Sequence, residues 1–340
     1  MAPLCIHFTM GGFNVPNDIT RRGFVGGAAA AGVFAPQVLR AAEPIKIRYA
    51  ALATGFSVII DEYMAANRFD LKHGLDMTSI NSYVSVGSYL NDFAAGTFDL
   101  AIAGWDSAAE LHHRGVPIQF VSTLVTADMI NMLGTRDAPN SIPELKGKSI
   151  AAVLASGTYQ LSKVLVRALY GLELEKDITV QNVPSPAQVI TMLMAGNVVG
   201  GIAWEPNVSI GMARDPSIKP IFNFGAGYRQ KTGEDLPYFG VVVRKQILQG
   251  APDIGARIAA SISDCVASIK KAPHKALDLA AAKLKVEPKV LYTAYDSGRL
   301  RFVGGSMNNP SDRKLVEDAA LFFKNNGAAW ATLQKDFFIS

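Results

Sequence analysis

Residues 93–104 read Phe93-Ala94-Ala95-Gly96-Thr97-Phe98-Asp99-Leu100-Ala101-Ile102-Ala103-Gly104, and their order sets the fold class. Val86 to Ala95 has helical character and stops at Gly96, because glycine takes the left-handed conformation that ends helices at no steric cost. Two residues later, Phe98 to Ala103 is a short apolar run of the kind a parallel sheet buries on both faces. Ser107 to Arg114 is helical again and closes at Gly115, and Pro117 to Val125 is again strand-like. Strands that alternate with short helices in this way imply parallel βαβ units.

The same alternation extends in both directions. Upstream, Ile45 to Ala50 and Leu75 to Ile80 read as strands, with a helix from Val58 to Phe69 between them. Downstream a second set begins. Lys148 to Val153 is a strand, and Gly157 to Tyr170 a helix ending at Gly171. Ile178 to Val183 is a strand, and Val199 to Trp204 another. Between those two, Ser185-Pro186-Ala187-Gln188 is a helix start, with Ser as cap, Pro in the first turn and Gln reaching back. After Tyr238 to Val243 the chain reads as mostly helical. The expected fold is therefore α/β with two lobes, each a mostly parallel sheet flanked by helices, and a helical C-terminal tail. Residues 43–127 form the first lobe, 128–235 the second, and 236–340 return a strand to the first and supply the tail. The stretches Thr126 to Thr135 and Leu236 to Val243 are the expected crossovers.

The chain has 340 residues, nearly half of them apolar, enough for two ordinary cores. A formal charge of +4 without any basic block argues against nucleic acid as a partner, since phosphate neutralisation needs clustered Lys and Arg. No apolar run reaches the roughly 18 residues of a membrane span. The only cysteines are Cys5 and Cys265, so no CxxC site is available, and Cys265 in its helical stretch reads as a small core residue. His112 and His113 beside Glu110 do not make a metal site: adjacent helical residues point about 100° apart, and no HExxH is present. No Gly-x-Ser-x-Gly or P-loop appears, and no cofactor is implied.

Residues 1–42 read as an address. Thr20-Arg21-Arg22-Gly23-Phe24-Val25 precedes a Gly- and Ala-rich stretch, and Leu39-Arg40-Ala41-Ala42 supplies small residues at a cleavage point. The paired arginines, with an aromatic two positions on, resemble the twin-arginine export signal. A periplasmic location is the expectation.

The order of segments resembles the nitrate/sulfonate/taurine group of periplasmic binding proteins, relatives of the thiamine-pyrimidine-binding proteins. The resemblance rests on the opening strand Ile45 to Ala50, on Phe93 to Ala101, and on Arg114-Gly115-Val116-Pro117-Ile118. Leu145-Lys146-Gly147-Lys148-Ser149-Ile150-Ala151 and Trp204-Glu205-Pro206 complete it. It covers about residues 45–245 in order, and departs at Val199-Gly200-Gly201, where the family has Asp-Ala. It implies the type II binding-protein fold and no catalysis. The implied role is a monomer that captures a small molecule and delivers it to the membrane permease of an ABC importer. Two other readings stay open, a pyrimidine-synthesising enzyme on the same fold and a ligand sensor for a membrane receptor.

In open α/β sheets ligands bind beyond the carboxyl ends of the strands. The candidate ligand-binding residues are therefore the strand-end loops. They are Thr54, Gly55 and Phe56 after the first strand, Ser85 after the second, and Trp105 and Asp106 after the third. In the second lobe they are Ser156, Gly157, Thr158 and Tyr159 at a helix start, then Trp204 and Glu205. Trp105 and Trp204 are expected to wall the cleft from opposite lobes. Asp106 and Glu205 would each repel a bare anion, which tilts the expected ligand toward an amine, hydroxyl or heteroaromatic donor.

Overall fold

The computed structural model describes residues 43–339 except Thr54, Thr78, Asp137 and Pro252, and without the side chains of Ser79 and Ile80. Residues 1–42, expected to be an export leader, lie outside the described residues. In chain order the elements are β1 (Ile45–Lys46), β2 (Tyr49–Leu52), α1 (Ser57–Asn67), α2 (Phe69–Lys72), β3 (Leu75–Asp76), β4 (Ser79–Tyr83), α3 (Val86–Ala95), β5 (Leu100–Gly104), α4 (Trp105–His113) and β6 (Ile118–Thr123). After the crossover come β7 (Ile130–Gly134), β8 (Ser149–Ala152), α5 (Gly157–Tyr170), β9 (Thr179–Asn182), α6 (Pro186–Met194), β10 (Gly200–Trp204), α7 (Asn207–Arg214), β11 (Lys219–Asn223) and α8 (Phe224–Thr232). The chain then returns through β12 (Phe239–Arg244), α9 (Lys245–Leu248), α10 (Ile254–Lys271), α11 (Pro273–Leu284), α12 (Pro288–Asp296) and α13 (Pro310–Asn325).

Two five-stranded sheets result, ordered β4-β2-β5-β12-β6 and β9-β8-β10-β7-β11. Each runs second strand, first strand, third strand, visiting strand, fourth strand. The visiting strands β12 and β7 are antiparallel to both their neighbours, and each crosses over from the other lobe. Thr126 and Pro237 form an antiparallel bridge where the crossovers run side by side. The two connecting segments are thus adjacent, and a cluster of charges pins them. Buried Asp128 accepts from the Thr126 hydroxyl at 2.6 Å and from the guanidinium groups of Arg229 at 2.8 Å and Arg301 at 3.2 Å. Asp235 pairs with the same two arginines.

The capped helices have the bounds that their caps predict. Ser85 caps α3 by accepting from Ser88 N–H, and Gly96 ends the helix at φ 85°. Ser156 does the same for α5, and Gly171 ends it at φ 66°. The expected first strand is instead divided into β1 and β2, because Arg48 belongs to neither. Its backbone N–H and guanidinium both bond the Asp99 carboxylate, at 3.1 and 2.6 Å. Leu75 to Ile80 is likewise two strands: β3 pairs with β1, and β4 joins the sheet. The Val199-Gly200-Gly201 departure has a packing reason. A Cβ on Gly201 would sit 2.4 Å from Val189 Cγ1, so α6 lies closer on β10 than a side chain there permits.

The first-lobe core is aromatic around the opening motif: Tyr89 and Phe93 of α3 pack on Phe98 at 5.2 and 5.4 Å between ring centroids. Such pairs add about 0.5–1.5 kcal/mol each beyond the area they bury. Cys265 lies buried on α10, and burial pushes its thiol up to about 12, so it packs as a small apolar residue.

Candidate functional site

The carboxyl ends of the strands in the two sheets face one another, and helices α4 and α5 start from these ends. Between the sheets lies a small cavity of about 20 Å³, roughly the room of one water. Its first-lobe wall includes Leu52, Val86, Tyr89, Ile102, Gly104 and Ser107. Its second-lobe wall is Ser156, Gly157, Thr158 and Trp204, and Tyr238 and Phe239 close it from the returning crossover.

Direct hydrogen bonds join the lobes. Gly157 N–H, the first residue of α5, donates to Ser107 Oγ in the first turn of α4 at 3.0 Å. Val86 N–H donates to Pro184 O at 3.2 Å. The Tyr238 hydroxyl stands 3.2 Å from Asp106 Oδ2 and 3.0 Å from Thr158 Oγ1. One hydroxyl hydrogen serves one acceptor, so Tyr238 can donate to Asp106 while Thr158 donates to Tyr238. Asp106 also accepts from Ser107 N–H at 2.7 Å. Burial nevertheless dominates and pushes the Asp106 carboxyl up to about 7, with the bonds from Ser107 and Tyr238 opposing that rise. Burial pushes the Tyr238 hydroxyl well up as well.

The candidate residues fall into three groups. Ser156, Gly157, Thr158 and Trp204 line the cavity, and Asp106 touches its edge through Tyr238. Ser85 caps α3 beside the cross-lobe bond of Val86, Gly55 turns the loop by donating to Leu52 O, and Phe56 stacks on Phe239 at 5.9 Å, one layer behind the wall. Thr54 lies outside the described residues. Trp105, Tyr159 and Glu205 sit elsewhere.

Trp105 is fully buried, but against Trp330 at 5.6 Å and Phe323 at 5.8 Å, with its indole N–H given to Pro237 O at 3.0 Å. Packing by the C-terminal tail takes this side chain away from the cavity, whose tryptophan wall is Trp204 alone. Glu205 is fully buried and pairs with Arg299 at 2.8 Å, and it accepts from Ser209 N–H and Oγ. Burial still raises its pKa, with Arg299 as the main opposing influence. Tyr159 is buried in the second-lobe core.

Sequence reasoning missed Leu52, Val86, Tyr89, Ile102, Ser107, Tyr238 and Phe239. Tyr238-Phe239 opens a strand at the expected crossover, and two adjacent aromatics at a hinge were the available signal. His112 and His113 take separate partners: His112 lies 3.4 Å from Asp336, and His113 bonds Thr332 O.

Residues 63–254, more than half of the chain, match the family described as NMT1/THI5 like. The chain belongs to the NMT1/THI5-like family. Among solved structures this NMT1/THI5-like chain is similar to the alkanesulfonate-binding protein SsuA from Xanthomonas axonopodis pv. citri bound to MOPS. The identity is 18%, the TM-score 0.68, and the match covers 88% of this chain and 98% of that one. The periplasmic aliphatic sulphonate binding protein SsuA from Escherichia coli is similar at 17% identity and TM-score 0.63, covering 84% and 94%. The ligand-binding component of an ABC-type import system from Staphylococcus aureus, with zinc bound, is similar at 15% identity and TM-score 0.65, covering 87% and 96%. At these identities the likeness is one of fold: two α/β lobes of the type II binding-protein architecture. No curated protein sequence matches this chain.

Proposed function

We propose that this NMT1/THI5-like chain is an extracytoplasmic solute-binding protein that captures a small molecule between its lobes and delivers it to the permease of an ABC importer. The observation that carries the reading is the pair of like-ordered sheets joined by two antiparallel crossovers, with the interlobe cavity at their strand ends. That arrangement hinges. In the closed form the lobes bond each other directly through Gly157 and Ser107, and the cavity admits little more than a water. A ligand must therefore enter an opened form, and it favours reclosure only by contacting both lobes. The cavity wall is mostly apolar and aromatic with hydroxyl groups among it, which suits binding.

The test measures shape and chemistry together. The mature protein, screened by thermal shift against small acids, amines and heterocycles, should become more compact in small-angle scattering with its ligand and return that ligand unchanged. Recovery of a converted ligand would replace capture with catalysis.

The proposed route outward is the twin-arginine pathway, on the strength of Arg21-Arg22-Gly23-Phe24 and the Ala-rich stretch after it. Arg21→Lys with Arg22→Lys should leave the precursor in the cytoplasm, because the receptor distinguishes planar guanidinium groups from ammonium groups of equal charge. An unchanged periplasmic yield of the double variant would remove this route.

A further inference from the structure

The carboxyl of Asp106 is packed where two helices begin. Asp106 lies in the first turn of α4, and Gly157 opens α5 from the other lobe. A Cβ on Gly157 would meet Asp106 Oδ1 at 2.2 Å, and a Cβ on Gly104 would meet the same oxygen at 2.3 Å. Two glycines therefore make room for this carboxyl.

Helix N-termini carry partial positive charge and free N–H groups, which together hold anions. Here three N–H groups at the helix starts are already used: Ser107 N–H by Asp106, Gly157 N–H by Ser107 Oγ, and Tyr159 N–H by Ser156 Oγ. No Lys, Arg or His lines the cavity among the described residues. The guanidinium groups of Arg299 and Arg301 are held by Glu205 and by Asp128 with Asp235. A sulfonate entering this cleft would find three of these helix-start donors engaged and a carboxyl beside them.

Building on the solute-binding reading above, we infer that Asp106 is the cleft's own anion and selects a ligand with a protonated amine on an aromatic or apolar body, against sulfonates and other anions. The amine pairs with Asp106, and the body lies against Trp204, Phe239 and Tyr89. A cation over such rings gains further from their negative faces. Binding a cation holds Asp106 ionised, so affinity should rise with pH through about 7, where burial has placed that carboxyl, and then level off. Tyr238 faces Asp106 from the crossover and stays neutral across this window. Helix α5 presents the uncharged Gly157 and Thr158, and Glu110 further along α4 is exposed to solvent.

Three ligands of one shape test the inference: benzylamine, benzyl alcohol and phenylmethanesulfonate, titrated calorimetrically into the mature protein at pH 6 and pH 8. Benzylamine should bind at least about tenfold tighter than the sulfonate, with the ratio growing from pH 6 to pH 8. Asp106→Asn should bring the two within about threefold and flatten the pH dependence. A wild-type protein that prefers the sulfonate, one that binds none of the three, or an Asp106→Asn variant with unchanged ranking would each overturn the inference. The two readings fail separately. Scattering that shows compaction with phenylmethanesulfonate removes the ligand class and keeps the solute-binding reading, whereas benzylamine bound without compaction removes both.

Discussion

Replacing Gly157 by valine is expected to hold the lobes apart and to lower ligand affinity by about a hundredfold or more, equivalent to some 3 kcal/mol. The reason is distance. The first side-chain atom would lie 2.2 Å from Asp106 Oδ1 and 2.4 Å from Ser107 Oγ, both on the opposite lobe. Neither neighbour is the free end of a long side chain, so the clash is relieved by separating the lobes. Separation also breaks the Gly157–Ser107 bond. Gly157 has no left-handed backbone requirement, since it is not among the positive-φ glycines, so α5 itself tolerates the change. Each lobe keeps its core, and the melting temperature should fall by only a few degrees. Small-angle scattering should show a more extended particle that no longer compacts with ligand. A valine variant that closes as the wild type does would contradict the cleft geometry.

The second large effect concerns stability. Arg299→Ala should cost about 3–5 kcal/mol at pH 8, because it leaves a fully buried carboxylate without its cation. Glu205 has no exposed surface, Arg299 holds it at 2.8 Å, and the Arg299 guanidinium also donates to Ser209 Oγ at 3.0 Å. The pH dependence has a definite sign. Burial already raises the Glu205 pKa, and loss of Arg299 removes the main influence opposing that rise. A carboxyl whose folded pKa exceeds its unfolded value favours folding at low pH and loses that contribution as pH rises through the folded value. Urea unfolding should therefore show a large loss at pH 8 and a smaller one at pH 5. Glu205→Gln added to Arg299→Ala should recover part of the loss at pH 8. Equal losses at both pH values would mean that Arg299 acts by packing alone.

These effects depend on contacts of very different sequence span, and span governs what could be read in advance. The bounds of α3 and α5 follow from Ser85 with Gly96 and from Ser156 with Gly171, each pair within one helix length. The split between β1 and β2 did not follow, because Asp99 holds Arg48 from 51 positions away. The same holds at the site. Gly157, Thr158 and Trp204 announce themselves by standing at strand ends and helix starts of their own lobe. Tyr238 reaches Asp106 across 132 positions and Thr158 across 80. Trp105 shows the reverse case. Its place after a strand end suggested a cleft wall, but Phe323 and Trp330 arrive from the far end of the chain and enclose it.

By itself the sequence determined the alternation of strands and helices, their division into two sets and a tail, and the loops that gather at the strand ends. Those properties come from local periodicity and caps, which a short window contains. The tertiary structure alone decided which side chains reach the cavity, that Glu205 answers to Arg299, and that Asp106 sits between two helix starts. Those outcomes depend on which distant segments pack together, because a side chain's burial and charge state are set by neighbours that only the folded chain supplies.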